Sequence, residues 1–213
     1  MKMNQRLLFF DAIMKSVLKG GSRGFIVNTF GVLIGFFLHL VLAKLMGVQD
    51  FGAYMYVLSW ISVLVVVATI GMDALAFRFV AAYKTTKDFA KLRALLIRGP
   101  QLIVIVTVIT VVAFTFILHL FPFLVPQDLS SLMILGLLIL PLWALANFNQ
   151  SAISSFKFAV RARLSDTILR PCFMLVIILL SSRFWSQSVT AHDAVSAHIF
   201  SVALSVVVSS IIL

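Results

Sequence analysis

The sequence predicts an all-α protein, folded as a polytopic bundle of transmembrane helices. Of its 213 residues, 62% are hydrophobic and only 11% are charged, and the mean hydropathy is +1.13. A soluble domain is about half apolar and about a quarter charged, so this composition indicates a membrane protein. We interpret the apolar segments as six spans, at residues 22–46, 53–77, 99–120, 129–150, 167–182 and 194–213.

The first two spans are the segment around which the other predictions are organised. Each holds about 25 residues, more than the roughly 20 needed to cross the hydrocarbon core of a bilayer. Residues 47–52 connect them, with the sequence GVQDFG. Because this connection is so short, the two helices are expected to run antiparallel as a hairpin.

The basic residues are distributed unevenly along a chain of net charge +10. Of the 17, 15 lie at or before the start of the first span, in the loop after the second, or between the fourth span and the start of the fifth: Lys2, Arg6, Lys15, Lys19, Arg23, Arg78, Lys84, Lys87, Lys91, Arg93, Arg98, Lys157, Arg161, Arg163 and Arg170. Lys44 and Arg183 fall on the opposite side. The positive-inside rule then puts both chain ends in the cytoplasm, in a multi-pass protein of the cell membrane. The basicity is thereby explained without nucleic-acid binding.

Residues 1–21 are predicted to form a separate N-terminal segment before the six-helix lobe of residues 22–213. Leu7, Phe10, Met14 and Val17 recur at helical spacing, which favours a short cytoplasmic helix in the headgroup layer, ended by Gly20 and Gly21. A frayed basic tail is the alternative.

In the first span, small and polar residues recur on one face: Gly24, Asn28, Gly31, Gly35 and His39. Gly31 and Gly35 form a small-xxx-small pair, so close packing against another helix is one interpretation. The other is the wall of an aqueous cavity, with Asn28 and His39 exposed to it. Lys44 points away from this face, near the outer end, and is expected to extend to the headgroups.

The second span repeats the pattern with Ser59, Ser62, Val66, Thr69 and Asp73. Asp73 is the only carboxylate placed inside any span, and an acid there is costly unless it is paired or functional. Arg78, five residues on, is the nearest candidate partner. A structural ion pair and a role in binding substrate or protons both stay open.

Pro141 is predicted to kink the fourth span, because proline removes a backbone hydrogen bond. The fifth span begins at Arg170 and Pro171, and the sixth carries His198 and several serines on one face. The single cysteine, Cys172, provides neither a disulfide nor metal-site spacing. No motif pairs carboxylates, a nucleophile with a base, or metal ligands, so we predict no enzyme activity, no cofactor and no metal.

Four short segments of the sequence resemble the polysaccharide flippase branch, the O-antigen translocase kind, of the multidrug/oligosaccharidyl-lipid/polysaccharide exporter (MOP) superfamily. Residues 43–54, AKLMGVQDFGAY, are similar to the family's turn of a basic residue, Leu-x-Gly-x-x-x-Phe-Gly-x-Tyr. Residues 24–28 at the start of the first span and 71–81, GMDALAFRFVA, also match, as does Arg170-Pro171. Most of the resemblance lies in the first 100 residues.

This resemblance implies a fold of two six-helix lobes around a central cavity, working by alternating access on lipid-linked oligosaccharides of the polyprenyl pyrophosphate type. The chain is expected to be the N-terminal lobe, either truncated or paired as a homodimer. Cationic cavity residues meet the pyrophosphate in the family, a role that falls here on Arg23, Lys44 and Arg78. The candidate substrate-path residues are Arg23, Asn28, His39, Lys44, Ser62, Thr69, Asp73 and Arg78.

Two other functions stay open at this point. A cation-coupled drug antiporter of the MATE type shares this fold, but it would need a carboxylate in the first span, which has none. A non-transporting membrane subunit that packs against partner helices is the other, since glycine and serine stripes also serve helix packing.

Overall fold

The structure is a computed structural model that describes the backbone of residues 2–156, 164–185 and 189–213 and the side chains of residues 25–156, 167–180 and 189–213. It is helical throughout these ranges, with no strand. Four of the described helices are long and apolar enough to cross a membrane: Phe25–Thr69, Phe89–Leu120, Gln127–Ser155 and Ala191–Ile212. The all-α prediction is confirmed, whereas the count of six spans stays a prediction.

Helix α1 (Lys2–Thr69) is broken once, at Gly47, where φ is 78° and ψ is 173°. The two halves fold back on each other at this residue. The rings of His39 and Phe51 lie 6.3 Å apart, although 12 residues of straight helix would span about 18 Å. Gly35 and Leu58, nearly equidistant from the break, line one pocket. The predicted antiparallel arrangement of the two segments is therefore present.

The second half of the hairpin ends at Thr69, so the predicted span of residues 53–77 is too long. Ile70 and Gly71 have φ values of 45° and 72°, and this left-handed pair interrupts the helical hydrogen bonds. A new helix, α2 (Met72–Thr85), follows. Asp73 lies in its first turn, where a carboxylate interacts favourably with the helix dipole.

Helix α3 (Phe89–Leu120) begins ten residues before the predicted start at residue 99. Asp88 caps it, because its carboxylate accepts a hydrogen bond from the Lys91 backbone N–H at 3.2 Å. Pro100, the second residue of the predicted span 99–120, lies inside the helix. Much of the predicted basic loop of residues 78–98 is thus helical.

The helix of the fourth span is interrupted close to Pro141, where a kink was predicted. Helix α4 (Gln127–Leu137) and helix α5 (Ile139–Ser155) meet at Leu138, three residues before Pro141. A proline at 141 has no N–H to donate to the carbonyl one turn earlier, at residue 137. The interruption falls at that turn. A short 3₁₀ segment, Pro122–Leu124, connects α3 to α4.

The last two helices begin near the predicted positions. A π-helical turn, Leu164–Leu169, leads into α6 (Arg170–Trp185), and α7 covers Ala191–Ile212. Thr190 and Asp193 form a capping box at the start of α7, in which each side chain bonds the other's backbone N–H.

At the N-terminus, α1 continues through Gly20 and Gly21, so the expected end of a short helix at these glycines is wrong. Lys157, Arg161 and Arg163, predicted in the loop after the fourth span, lie outside the described residues.

The two ends of the bundle differ in the loops they bring together. At one end, Tyr83, Leu92, Phe156 and Leu213 belong to one apolar cluster, and the Lys84 ammonium lies 4.7 Å from the centre of the Phe156 ring. Towards the other end, the Tyr56 hydroxyl donates to the Leu124 carbonyl at 3.2 Å. The end of α2, the start of α3 and the ends of α5 and α7 therefore meet at the first of these two ends.

Candidate functional site

A pocket of about 240 Å³ lies inside the bundle, between the α1 hairpin and helices α5, α6 and α7. Its polar and aromatic lining consists of His39, Tyr54, Trp143, Arg170 and His198. Tyr54 is 1% exposed and His198 is 7% exposed. Polar and cationic groups are therefore concentrated within an otherwise apolar interior.

A chain of hydrogen bonds crosses this pocket from α6 to α7 and on to α1. Arg170 Nη2 lies 2.6 Å from His198 Nε2, and His198 Nδ1 lies 2.8 Å from the Tyr54 hydroxyl. Arginine has only donors, so Nε2 must accept and the proton of a neutral His198 must sit on Nδ1. His198 then donates to Tyr54, whose hydroxyl donates to Met174 Sδ at 3.7 Å. The donor and the acceptor of each hydrogen bond in this chain are therefore defined.

Trp143 completes the cluster from α5. The Arg170 guanidinium lies over its indole ring, 4.3 Å from the ring centre, in a cation–π contact. The ring centres of Trp143 and His198 are 6.0 Å apart. Arg170 is thus held by an aromatic face as well as by a hydrogen bond, which restricts the position of its positive charge.

Local sequence determines how each helix presents its residue. The turn at Gly47 directs Tyr54, seven residues later, back into the bundle. Pro171 occupies the first turn of α6, where its missing N–H is tolerated. His198 lies on the buried face of α7 with Ser201, Ser205 and Ser209. Four helices therefore meet at this cluster.

Among the sequence-predicted candidates whose side chains the structure describes, His39 lines this pocket. Its Nδ1 donates to the Gly35 carbonyl at 2.6 Å, one turn earlier, because a carbonyl can only accept. Gly35 also lines the pocket. Gly31, on the same face of the helix, serves close packing instead. A Cβ at this position would overlap the Thr167 side chain.

The structure places the other candidates with described side chains away from the pocket. Asn28, Lys44, Ser62 and Arg78 are exposed on the outside of the bundle. Ser62 donates to the Ser59 carbonyl at 2.7 Å. Thr69 is 5% exposed and donates to the Val66 carbonyl at 3.2 Å. The side chain of Arg23 lies outside the described side chains.

Asp73 and Arg78 both lie in α2 but form no ion pair, and the salt bridge found in the described part of the chain joins Lys91 to Asp88 at 2.7 Å. Residues five apart on a helix are separated by about 140°, so they do not face each other. Asp73 is half-buried and Arg78 is exposed.

Sequence reasoning missed the central residues of this cluster. Arg170 was counted with the basic loop after the fourth span, at the start of the fifth, and it lies half-buried against His198. One signal in the sequence could have indicated Arg170 and His198: each is an ionisable side chain within or beside an apolar helix. Such a residue is a candidate for a functional site by default. Tyr54 has no such signal.

Among the side chains that the structure describes, no three His, Cys, Asp or Glu residues come close enough to hold a metal ion. Compared with protein-family models, with curated proteins and with solved structures, this chain has no match.

Proposed function

We propose that this chain is a membrane-embedded lobe of a transporter that moves lipid-linked oligosaccharides across the cell membrane by alternating access. The resemblance of residues 43–54 and 71–81 to the O-antigen translocases supports this proposal. The observation that carries it is the contact of Arg170 with His198 inside the bundle. A transporter needs a polar path between apolar helices, and the half-buried Arg170 beside the buried Tyr54 and His198 could form part of one.

The proposal includes six crossings. The hairpin Phe25–Thr69 has 45 residues, which would extend about 68 Å if straight, roughly twice the hydrocarbon thickness of a bilayer. Because it folds at Gly47, each half crosses once. The shorter apolar segment Thr167–Leu180, which overlaps α6, gives a further crossing. The end of the bundle that carries Arg78, Lys84 and Arg98 is then cytoplasmic, as is the N-terminus.

Polar residues on the outer face of the hairpin favour a partner at this surface, either a second lobe or a second copy of the chain. Asn28, Ser59 and Ser62 are exposed there, and side chains of this kind are unfavourable against lipid tails. In a two-lobe transporter this surface would border the central cavity. The substrate is proposed to be of the polyprenyl pyrophosphate type, in which the negative charges suit the positive charge of Arg170.

The proposal is tested by reconstituting the purified chain in liposomes with a fluorescent polyprenyl-pyrophosphate oligosaccharide. A membrane-impermeant quencher reports how much of the label reaches the outer leaflet over time. We expect the unaltered chain to make the inner-leaflet label accessible and Arg170→Gln to slow this by about tenfold or more. Arg93→Gln, which removes an exposed charge from α3, is the matched control. Absence of movement with the unaltered chain, or equal rates for both variants, would contradict the proposal.

A packing subunit without transport is the second candidate function. Its main support was the pattern of glycine and serine stripes, with Gly31 and Gly35 as a small-xxx-small pair. Gly31 packs against Thr167 of this same chain, so it needs no partner helix, whereas a Cβ at Gly35 would meet no atom within 4 Å. The drug antiporter would need a carboxylate in the first span, and the described part of that span has none.

A further inference from the structure

A groove separate from the interior pocket runs between α2 and α3 and has a volume of about 310 Å³. The main contributors from α3 are Lys91, Leu95, Arg98 and Leu102. Steps of four, three and four residues put them on one face of the helix. The α2 side is formed by Met72 and Tyr83.

The groove changes from polar to apolar along its length. The two helices are joined by the short turn at residues 86–88, so they run antiparallel. Tyr83 and Lys91 therefore lie at the end nearest this turn, and Met72 and Leu102 lie at the far end. Arg98 is between them and is the last charged residue before the uncharged stretch of residues 99–118. A molecule in this groove would meet cations at one end and apolar side chains at the other.

The charge at the polar end is strongly positive. Residues 78–98 hold six Lys and Arg residues and one acid, Asp88. Asp88 pairs with Lys91, whose side chain is still 67% exposed. Asp73, next to Met72, is the nearest other carboxylate in sequence and is half-buried. Arg98 is exposed, and no carboxylate in the described residues forms a salt bridge with it.

The exposed surface beyond the groove is apolar. Leu102 is 49% exposed, and Ile105, three residues further along α3, is 60% exposed. An acyl chain leaving the groove would therefore continue along a surface suited to lipid. A basic site at the point where a helix enters the hydrocarbon suits the charge of an anionic phospholipid headgroup.

We propose that this groove binds an anionic phospholipid, with its phosphate on Arg98 and Lys91 and an acyl chain along Leu102 and Met72. The site does not depend on transport, since it rests only on the groove, its charge and its place at the start of the apolar part of α3. Arg98 provides charge-assisted hydrogen bonds to the phosphate oxygens. Tyr83 provides a hydroxyl at the polar end.

The test uses the purified full chain in detergent micelles and follows its thermal unfolding by tryptophan fluorescence. Dioleoylphosphatidylglycerol, dioleoylphosphatidylcholine and inorganic phosphate are titrated separately, because a ligand of the folded state raises the unfolding midpoint. We expect phosphatidylglycerol to raise it more than phosphatidylcholine at equal concentration, and inorganic phosphate to leave it unchanged. An equal effect of both lipids, or a full effect of inorganic phosphate, would overturn the proposal.

Variants identify the groove as the place of binding. Arg98→Gln should raise the half-saturating concentration of phosphatidylglycerol by about tenfold, whereas Arg98→Lys should raise it less. Leu102→Trp fills the apolar end without changing the charge and should also weaken the selective effect. Arg93→Gln is the control, because Arg93 is on α3 but does not line the groove. Equal weakening by Arg93→Gln and Arg98→Gln would mean general surface attraction and would contradict a site.

Discussion

Arg170 Nη2 donates a hydrogen bond to His198 Nε2 at 2.6 Å and thereby determines the tautomer of a histidine that is 7% exposed. The consequence reaches a third helix, because the remaining ring proton is directed to the Tyr54 hydroxyl at 2.8 Å. Helices α6, α7 and α1 are thus connected by polar contacts that only one protonation pattern satisfies.

Replacing His198 by Ala should destabilise the protein through this cluster. The substitution leaves the Tyr54 hydroxyl and one Arg170 donor without their histidine partner, and a buried group without its partner costs about 1–3 kcal/mol. The free energy of unfolding in micelles measures this loss. His192→Ala is the control, because His192 is exposed in the first turn of the same helix and should change stability by about 0.5 kcal/mol or less. Equal effects would show that the cluster does not contribute.

Gly31 and Gly35 should respond in opposite ways to alanine. At Gly31 a Cβ would overlap the Thr167 methyl group, while at Gly35 no atom lies within 4 Å of the new Cβ. Gly31→Ala forces the first half of α1 away from the π-helical turn, at about 1–3 kcal/mol. Gly35→Ala should be neutral or stabilising by up to about 1 kcal/mol, because alanine favours the helix. Thermal unfolding of the two variants distinguishes them, and a stable Gly31→Ala protein would contradict the packing.

Gly47 and Gly52, both in the hairpin, allow a similar comparison. Gly47 has φ 78° and ψ 173°, a region almost restricted to glycine. Alanine there should cost about 1–3 kcal/mol of unfolding free energy. Gly52 lies in helix, and a Cβ at this position meets no atom within 4 Å, so Gly52→Ala should be tolerated. If both alanine variants unfold at the same temperature as the unaltered chain, the break at Gly47 is not required.

The Asp88 cap of α3 predicts that the stability of the protein depends on pH. Hydrogen bonds from the Lys91 side chain and backbone hold the pKa of the Asp88 carboxyl below its usual value. A lowered pKa contributes stability above the pKa of the unfolded chain, about 3.9, and that contribution is lost as the pH falls through the folded value.

Asp88→Asn keeps an acceptor for the cap but cannot titrate, so it isolates this effect. The unfolding midpoint of the unaltered chain should exceed that of the variant at about pH 6, and the difference should shrink as the pH falls below about 3.9. A difference that stays constant over this range would mean that the Asp88 charge does not contribute.

Several features of the fold were predictable because they depend on short stretches of sequence. Apolar runs predict helices, Pro141 indicates an interruption of the fourth span, and Gly47 lies in the short connection where the hairpin turns. Helix ends were less predictable. The second span ends at Thr69 because Ile70 and Gly71 take left-handed backbone conformations, and hydropathy does not report this.

By itself, the sequence determined that the protein is helical, that long parts of it are apolar enough for a membrane, and where its basic residues are concentrated. These properties add up residue by residue, so they need no knowledge of neighbours. Tertiary structure alone decided that Tyr54, Trp143, Arg170 and His198 meet. They come from four helices, and the side that each helix turns inward depends on its packing against the others.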